Sequence, residues 1–367
     1  MMKGMNMKAR GLLLLLACLA LMGGGMPRQS VFRLSGMVVD IEGRGIGGVV
    51  VNDGVGFALT GADGRWALVT DTFRSKFVSI STPAGFRLPQ DSGLAAGFFV
   101  PVGRAVAGGG RFVLERRPVA ADSFYYVAVS DPQVRNASGM ARWRGEAVAS
   151  LRRTVAALSR SREVVGVALG DLVFDDMGLF DDYVGSVAGM PMTMFQCIGN
   201  HDFDRRLPAL RHAPEGAPAY AEMAYHRRFG PTDYSFNIGR VHIVTMCNID
   251  YRGGGRYAEL LSDSQLRWLE RDLSYVPRGS LVILNMHAPG WNREGAAANI
   301  DNAPRLERAL SGYRVHVFCG HTHFFQNVEV GDSLYQHNIG AASGAWWSGD
   351  VNRCGAPNGY MVAAVDG

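Results

Sequence analysis

The sequence predicts an α/β protein in which a small all-β sandwich precedes a larger layered domain. Residues 31–117 contain short apolar runs separated by turn residues, which is typical of a β-sandwich. After a polar linker, residues 115–121, continuous apolar runs alternate with amphipathic helical segments. That alternation indicates a layered α/β domain. A chain of 367 residues with 47% hydrophobic content is long enough to bury a core in each part.

The first residues have the composition of an export signal. A basic stretch precedes residues 11–22, which are apolar but too few to cross a bilayer. The tetrapeptide that ends at Cys18 resembles a bacterial lipobox, and ordinary cleavage near Ala20 or Gly24 is the alternative. We therefore expect residues 1–25 to be a signal peptide or lipoprotein signal. The protein would be exported to the periplasm or cell envelope, and lipidation of Cys18 would attach it to the membrane.

Charge and cysteine content argue against two classes of site. The net charge is +4, but the basic residues are scattered and form no stripe with aromatic residues, so nucleic acid is not an expected partner. Cys197, Cys247 and Cys319 lie in apolar runs and are expected to be buried. Together with Cys354 they do not have the spacing of a thiolate metal site, and one disulfide is left open.

The all-β region, residues 31–117, carries turn signals between its apolar runs. Asp53-Gly54 and Asp63-Gly64 supply the positive φ angles that tight β-turns need. The pattern of residues 35–64 resembles the carboxypeptidase-regulatory-like (transthyretin-like) module. The region offers no catalytic constellation, so we expect it to act as a spacer or adhesion module.

The layered domain is predicted from apolar runs of strand length. They are residues 124–129, 164–169, 194–198, 241–246, 281–284 and 314–318. Between these runs, Leu151 and Val155 lie on the apolar face of one predicted helix. A second helix is predicted to begin at Ser262, where Gln265 completes a capping box.

Five of these runs end in residue types that bind metals. They are Asp131 and Gln133, Asp171 and Asp175, Asn200, His201 and Asp202, Asn285 and His287, and His321 and His323. Each is an ordinary turn residue when taken alone, but together they would meet at one sheet edge, where α/β sheets keep their sites. Carboxylate, amide and imidazole ligands without thiolates suit Mn, Fe, Zn or Mg. We expect Gly170, Gly199 and Gly320 to let the backbone turn sharply there.

The same residues form five motifs in a recognisable order. The motifs are Asp131-x-Gln133, Gly170-Asp171-x-x-x-Asp175, Gly199-Asn200-His201-Asp202, His287 and Gly320-His321-Thr322-His323. Over residues 122–340 their order and spacing resemble those of the calcineurin-like metallophosphoesterases. The resemblance implies a four-layer α/β/β/α sandwich that hydrolyses a phosphate ester, with a hydroxide that bridges two divalent ions as the nucleophile.

The flanking segments resemble a bacterial exported subgroup of this family. Members of the subgroup carry an N-terminal module similar to residues 31–117. They continue into a C-terminal domain through a segment similar to residues 344–350 and 357–360. The resemblance implies that residues 341–367 begin a C-terminal domain that is truncated here.

The resemblance also implies a role for each motif residue. Two divalent ions, Mn, Fe or Zn, would be held by Asp131, Gln133, Asp171 and His323 at the first position and by Asp171, Asn200, His287 and His321 at the second. His201 would act on the leaving-group oxygen as a general acid or charge stabiliser, and Asp202 would orient its ring. Asp175 would shape its loop. Gln133 stands where the commonest family motif has His, which leaves the identity of the first ion open.

The predicted function is therefore metal-dependent hydrolysis of a small-molecule phosphate ester. The alternative is a non-catalytic cell-envelope binding protein that keeps the phosphoesterase fold, and Gln133 and the early end of the chain favour it. The complete set of remaining ligands opposes that alternative. A nuclease would need a basic groove, which the sequence does not indicate. Residues 205–225 and 250–257 form loops that would select the substrate.

The remaining histidines and the tryptophans have mainly structural interpretations. We expect His212 and His226 to face solvent and His242 and His316 to be structural, whereas His337 could line the pocket. Three tryptophans either pack between domains or stack on a base or sugar: Trp291, Trp346 and Trp347.

Overall fold

The structure, a computed structural model, describes residues 31–205, 218–291 and 300–366. The predicted leader with Cys18 and the predicted solvent-facing His212 lie outside these ranges. Within them, no helix combines the length and the apolar character needed to cross a bilayer.

The described residues form many strands and shorter helices. The strands are β1 (Val31–Asp40), β2 (Val50–Asn52), β3 (Phe57–Leu59), β4 (Arg65–Asp71), β5 (Phe77–Ser81), β6 (Gln90–Asp91), β7 (Leu94–Ala95), β8 (Phe99–Pro101), β9 (Arg111–Leu114), β10 (Ser123–Val129), β11 (Glu163–Leu169), β12 (Thr193–Cys197), β13 (Tyr234–Ile238), β14 (Val241–Thr245), β15 (Ile249–Gly253), β16 (Arg256–Glu259), β17 (Leu281–Asn285), β18 (Arg314–Cys319), β19 (Gln326–Gly331), β20 (Leu334–Asn338) and β21 (Met361–Asp366). The α-helices are α1 (Val102–Arg104), α2 (Ala137–Arg142), α3 (Ala149–Leu158), α4 (Phe180–Val187), α5 (Pro218–Ala221), α6 (Met223–Phe229), α7 (Asp263–Leu273) and α8 (Ala303–Leu310). Short π-helical and 3₁₀ segments are Ala105–Gly109, Trp143–Val148, Met177–Leu179 and Asn200–Asp202.

Two six-stranded sheets form the centre of the fold. The first has the order β21-β10-β11-β12-β7-β6, and the second has the order β13-β14-β17-β18-β20-β19. Strands β10, β11 and β12 are parallel, as are β14, β17, β18 and β20. The six strands predicted from the apolar runs are all present, and each differs from its predicted bounds by at most about one residue at either end.

The side chains of β10 alternate between the two faces of the first large sheet, and this alternation explains why the two sheets pack face to face. Phe124, Tyr126 and Ala128 belong to the core between the sheets, whereas Val127 and Val129 belong to the core under the helices. Across the interface, the Tyr126 ring lies 5.2 Å from the ring of Phe318. Both faces of this strand are therefore buried, and its sequence is apolar at nearly every position.

Helices cover the outer faces of the two sheets. Leu151 and Val155 of α3 pack in the same core as Val127 of the first sheet. Leu269 of α7 packs in that core together with Leu284 of the second sheet. The predicted capping box is confirmed at the start of α7, where the Ser262 hydroxyl accepts the Gln265 N–H at 3.2 Å and the Gln265 side chain accepts the Ser262 N–H at 2.9 Å. The protein thus has the mixed α/β fold that the sequence predicts.

The N-terminal region is rich in strands, as predicted, and packs directly on the larger domain. Its sheets have the orders β4-β1-β9 and β3-β2-β5-β8. The ring of Phe98 lies 5.9 Å from Phe195 of the first large sheet and 5.2 Å from Tyr234 of the second. In addition, β7 pairs with β12 through Leu94 and Met194. The all-β region therefore shares one core with the α/β domain, because its apolar residues continue into the space between the large sheets.

The C-terminal residues pack on the α/β domain and contribute a strand to its first large sheet. Residues 361–366 form β21, which pairs antiparallel with β10 along six residues of each strand. They complete the first large sheet, because β10 would otherwise present an edge with unpaired backbone groups. Residues 341–350 lie beside the predicted metal site, where the Ser343 N–H donates to the Asp131 carbonyl at 3.2 Å.

An ion pair joins the N-terminal region to the α/β domain. Lys76 Nζ lies 2.8 Å from Glu222 Oε2 and 3.1 Å from His226 Nε2. The prediction that His226 faces solvent is wrong, because its Nδ1 donates to the Gly230 carbonyl at 2.9 Å and its ring packs 5.3 Å from Phe77. Burial opposes ionisation of Glu222, but His226 and Lys76 outweigh it and lower the pKa of Glu222 to about 2.

We expect this carboxylate to contribute stability that depends on pH. Its pKa is about 2 in the folded protein and 4.5 in its unperturbed state, so the contribution of up to ~3 kcal/mol is complete above pH 4.5 and is lost as the pH falls towards 2. Glu222→Gln should therefore destabilise the protein at pH 7 and reduce the loss of stability between pH 5 and pH 2. Urea unfolding midpoints across this range test it, with exposed Glu270→Gln as the control. Parallel pH profiles for wild type and Glu222→Gln would contradict it.

Candidate metal centre

The predicted ligands meet at one edge of the paired sheets. Each follows the carboxyl end of a parallel strand, in the order Asp131 after β10, Asp171 after β11, Asn200 after β12, His287 after β17 and His321 after β18. Sheet packing brings residues from the two sheets into direct contact. His287 Nε2 of the second sheet lies 3.3 Å from Asp171 Oδ1 and 3.0 Å from Asn200 Oδ1 of the first.

Backbone strain is concentrated at this edge. The described residues include nine non-glycine residues with a positive φ, and six of them are predicted site residues: Asp131, Gln133, Asp171, Asp175, His321 and His323. Two more, Trp346 and Trp347, belong to the segment that packs on the site. A left-handed conformation costs about 1–2 kcal/mol for such residues. Surrounding contacts must therefore hold these loops in place, as is typical of functional sites.

Three histidines turn one ring nitrogen towards the carboxylates because the other nitrogen is already bound. His287 Nδ1 donates to the Leu169 carbonyl at 2.7 Å, and His323 Nδ1 donates to the Gly344 carbonyl at 3.0 Å. His321 Nε2 lies 3.0 Å from the carboxylate of Glu259. Such outer hydrogen bonds fix the tautomer and orientation of metal-binding histidines.

Two buried oxygens in the site lack a hydrogen-bond partner among the described residues. They are Gln133 Oε1 and Asp131 Oδ1, and the nearest donor to Asp131 Oδ1 is His323 Nε2 at the long distance of 3.4 Å. The other atoms of these groups are engaged, since Asp131 Oδ2 accepts the His321 N–H at 2.9 Å and Gln133 Nε2 donates to Asp171 Oδ2 at 2.9 Å. A buried oxygen without a donor is costly, and a cation is the partner that would satisfy both oxygens.

The donor set therefore fits divalent metal ions. Ligand atoms of Asp171, His287 and His321 all lie within 4.8 Å of one another. His321 Nδ1 lies 3.2 Å from His287 Nε2, so two imidazole nitrogens and the Asp171 carboxylate converge on one place. Burial disfavours the charged form of His287, but the charge and hydrogen bond of Asp171 outweigh it and raise the pKa of His287 to about 10. Positive charge is thus strongly favoured here.

Sequence comparisons assign the chain to a family. Residues 125–325 match calcineurin-like phosphoesterase. Residues 33–131 match the N terminal of calcineurin-like phosphoesterase, and residues 336–367 match its C terminal. The chain belongs to the calcineurin-like phosphoesterase family. Among curated proteins, none matches the sequence.

Several solved structures resemble this chain at low sequence identity. A dimetal phosphatase from Danio rerio is 15% identical, with a TM-score of 0.40 over 59% of this chain and 87% of that one. A 5'-nucleotidase from Candida albicans is 14% identical, with a TM-score of 0.38 over 62% and 46%. A purple acid phosphatase from yellow lupin (Lupinus luteus) seeds is 12% identical, with a TM-score of 0.43 over 92% and 62%. The chain spans less than two thirds of the last two.

His201 stands beside the predicted metal ligands and has a different partner from the predicted one. Its Nδ1 lies 3.0 Å from Asp175 Oδ1, and its ring stacks on Phe174 with the centroids 4.0 Å apart. Arg205 holds the Asp175 carboxylate through Nε and Nη1 at 3.0 and 3.1 Å. Burial lowers the pKa of His201, but Asp175 and the charge of Asp171 outweigh it, so this pKa is raised above its ordinary value.

Asp202 joins two loops. It does not orient the His201 ring, contrary to the sequence interpretation. Its carboxylate accepts the N–H groups of Gly199 at 2.9 Å, Val173 at 3.1 Å and Leu172 at 3.2 Å. It is fully buried under the site, where burial and the charge of Asp171 raise its pKa to about 7. Adjacency in sequence was misleading because the 3₁₀ turn Asn200–Asp202 points successive side chains in different directions.

The three glycines of the motifs, Gly170, Gly199 and Gly320, are needed mainly because atoms of neighbouring loops approach them closely. Only Gly170 of the three has a positive φ, at +91°. A Cβ atom at Gly199 would lie 2.2 Å from the Asp171 amide nitrogen, and one at Gly320 would lie 1.6 Å from the Ser130 hydroxyl. The prediction that Gly199 and Gly320 are needed for a sharp backbone turn is therefore wrong. These glycines instead leave room for the neighbouring ligand loop.

Residues that the sequence did not single out complete the site. Glu259 lies at the end of β16 and binds His321. Phe174 and Arg205 fix His201 and its partner, and the Ser130 hydroxyl donates to Asp131. The sequence contained no signal for Glu259 beyond its place next to a loop expected to select the substrate, since its partner is 62 residues away in the chain.

The tryptophans and remaining histidines divide between packing and the site. Trp291 is buried and donates to Glu307, and Trp347 donates to the Pro132 carbonyl, so both serve packing. The ring of Trp346 is partly exposed and lies 4.9 Å from the ring of His323. Three histidines have structural partners: His242 bonds Asn237 and Asp272, and His316 and His337 bond each other. His337 therefore does not line the site, an alternative that the sequence had left open.

We expect Asp202→Asn to destabilise the protein by about 1–3 kcal/mol. The new NH₂ group would face at least one of the three N–H groups that the carboxylate now accepts. The urea unfolding midpoint measures the effect. Asp181→Asn is the matched control, because Asp181 is 90% exposed. Equal midpoints for the two variants would show that Asp202 does not bear this structural role.

Proposed function

We propose that the protein hydrolyses a small phosphate ester with the help of two divalent metal ions. The observation that carries the proposal is the inward orientation of three imidazoles. His287, His321 and His323 each use one nitrogen for a fixed acceptor and direct the other towards buried carboxylates. A purely structural cluster would pair its buried acceptor atoms with donors. It would not leave several of them without a donor in one place.

The donor atoms divide into two sets that share Asp171. Asp131, Gln133, Asp171 and His323 would hold the first ion, and Asp171, Asn200, His287 and His321 would hold the second. Both unpartnered oxygens, Asp131 Oδ1 and Gln133 Oε1, belong to the first set. When bound, Mn, Fe or Zn ions would neutralise the phosphate and increase the acidity of water. Gln133 contributes a neutral oxygen, so the first set keeps two carboxylates and one imidazole.

His201 would donate a proton to the leaving-group oxygen. Its Nδ1 is held by Asp175, so Nε2 is the nitrogen available to a substrate. The raised pKa of His201 favours the protonated ring that a general acid needs. Phe174 stacks on the ring and Arg205 holds Asp175, so the proton donor is kept in one orientation.

We also propose that the protein is exported through its N-terminal leader, with membrane attachment if Cys18 is lipidated. Support comes from the basic and apolar stretches of residues 1–25.

We expect the purified protein to bind about two Mn ions per chain and to hydrolyse p-nitrophenyl phosphate or its bis ester. Asp171→Asn should lose metal at both positions and lose turnover, because Asp171 belongs to both ligand sets. Elemental analysis and initial rates measure the two effects. Asp181→Asn, on the exposed surface, is the control and should retain both properties.

The outcomes separate the proposed enzyme from a binding protein. Two ions with turnover on either ester support the proposal, and the preferred ester indicates the substrate class. Wild-type protein with neither stoichiometric metal nor turnover would contradict it and favour the non-catalytic binding protein.

We expect His201→Ala to keep its metal and to lose about 10²–10⁴-fold in kcat, the usual contribution of a general acid. Asp175→Asn should also lower kcat, but by a smaller factor, because the His201 ring remains and loses only its carboxylate partner. His337→Ala, outside the site, is the control. Loss of metal from His201→Ala with activity retained would show that His201 is a ligand and not the proton donor.

A further inference from the structure

We propose that Glu259 is a positioning residue for the metal centre, because its carboxylate selects the His321 tautomer that directs Nδ1 towards the ions. This inference rests on the proposed metal-dependent function. Glu259 Oε1 lies 3.0 Å from His321 Nε2, and on the other side of the ring Nδ1 lies 3.2 Å from His287 Nε2. The imidazole therefore stands between a carboxylate and the converging ligand atoms.

The chemistry of the two partners determines the proton position. A carboxylate only accepts hydrogen bonds, so His321 Nε2 must carry the hydrogen that points to Glu259. In the neutral ring Nδ1 then keeps its lone pair and is the ligand atom. A carboxylate also makes the ring a stronger electron donor to a metal than a neutral acceptor does.

His321 differs in this respect from the other two inward histidines. His287 and His323 donate to the backbone carbonyls of Leu169 and Gly344, which no substitution of a side chain would remove. His321 depends on one side chain instead. Its backbone is held at φ +68° and its N–H donates to Asp131 Oδ2, but these contacts leave the rotation of the ring unspecified.

The position of Glu259 is well defined in the fold. It ends β16 and pairs with Ile249 of β15, whose side chain is buried. The Glu259 carbonyl accepts the Asp301 N–H at 2.9 Å, and the next residue, Leu260, donates to the Asn248 carbonyl at 3.0 Å. The side chain is 19% exposed, so its contact with His321 is largely shielded from water.

We expect Glu259→Gln to weaken binding of one of the two ions by about 10–100-fold and to leave the other unchanged. The amide could turn its NH₂ group towards His321 Nε2, which would favour the tautomer with hydrogen on Nδ1. Glu259→Asp keeps the carboxylate and should retain more affinity. Glu270→Gln is the matched control, because it is the same substitution at an exposed side chain of α7.

The experiment combines Mn²⁺ binding by equilibrium dialysis with histidine ¹⁵N NMR of the metal-free full chain. His321→Gln identifies the His321 signals, and thermal melting verifies that each variant is folded. The expected result is a Nε2–H tautomer of His321 in wild type and Glu270→Gln, with a changed proton distribution in Glu259→Gln. Glu259→Gln should also lose affinity for one Mn²⁺ ion selectively.

Unchanged affinities and an unchanged tautomer in folded Glu259→Gln would overturn the inference while wild-type turnover left the proposed function intact. Two bound ions and the expected Glu259→Gln effect without hydrolysis of any ester would contradict the hydrolytic function alone. Wild-type protein that binds no Mn²⁺ would overturn both.

Discussion

The burial of two carboxylates, Asp131 and Asp171, is the constraint on which the rest of the site depends. Both are almost completely removed from water at the edge where the two large sheets meet. Burying a charge is unfavourable unless opposite charge or donors compensate it. Here the compensation comes from imidazoles of the opposite sheet, so the attraction between sheets and the chemistry of the centre have the same origin.

The surrounding fold stabilises the unfavourable backbone conformations of the ligand loops. Left-handed backbone at the ligand loops is unfavourable, and it persists because neighbouring groups hold each loop from several directions. Asp202 gathers three N–H groups from two loops, and Gly199 and Gly320 let those loops approach more closely than a side chain would allow. Much of the precision of this site is therefore supplied by residues outside the predicted ligand sets.

Segments from the N-terminal region and from the C-terminal residues also support the centre. Residues 90–95 extend the first large sheet next to β12, and β21 completes its other side next to β10. Each covers a strand that ends in site residues. The Gly344 carbonyl, which precedes β21 in the chain, accepts the hydrogen bond from His323. The flanking regions are thus part of the scaffold that positions the ligands.

The sequence by itself determined the fold class, the six central strands and the residues that converge, because apolar runs that end in polar turns report both the sheet and its functional edge. Only the tertiary structure decided how those residues cooperate. Asp175 and not the adjacent Asp202 binds His201, and Glu259 binds His321 from a hairpin far away in sequence. Such partnerships depend on side-chain direction and on contacts between distant segments. Neither is encoded in a local pattern, because hydrogen bonds depend on distances in space that only the packed sheets define.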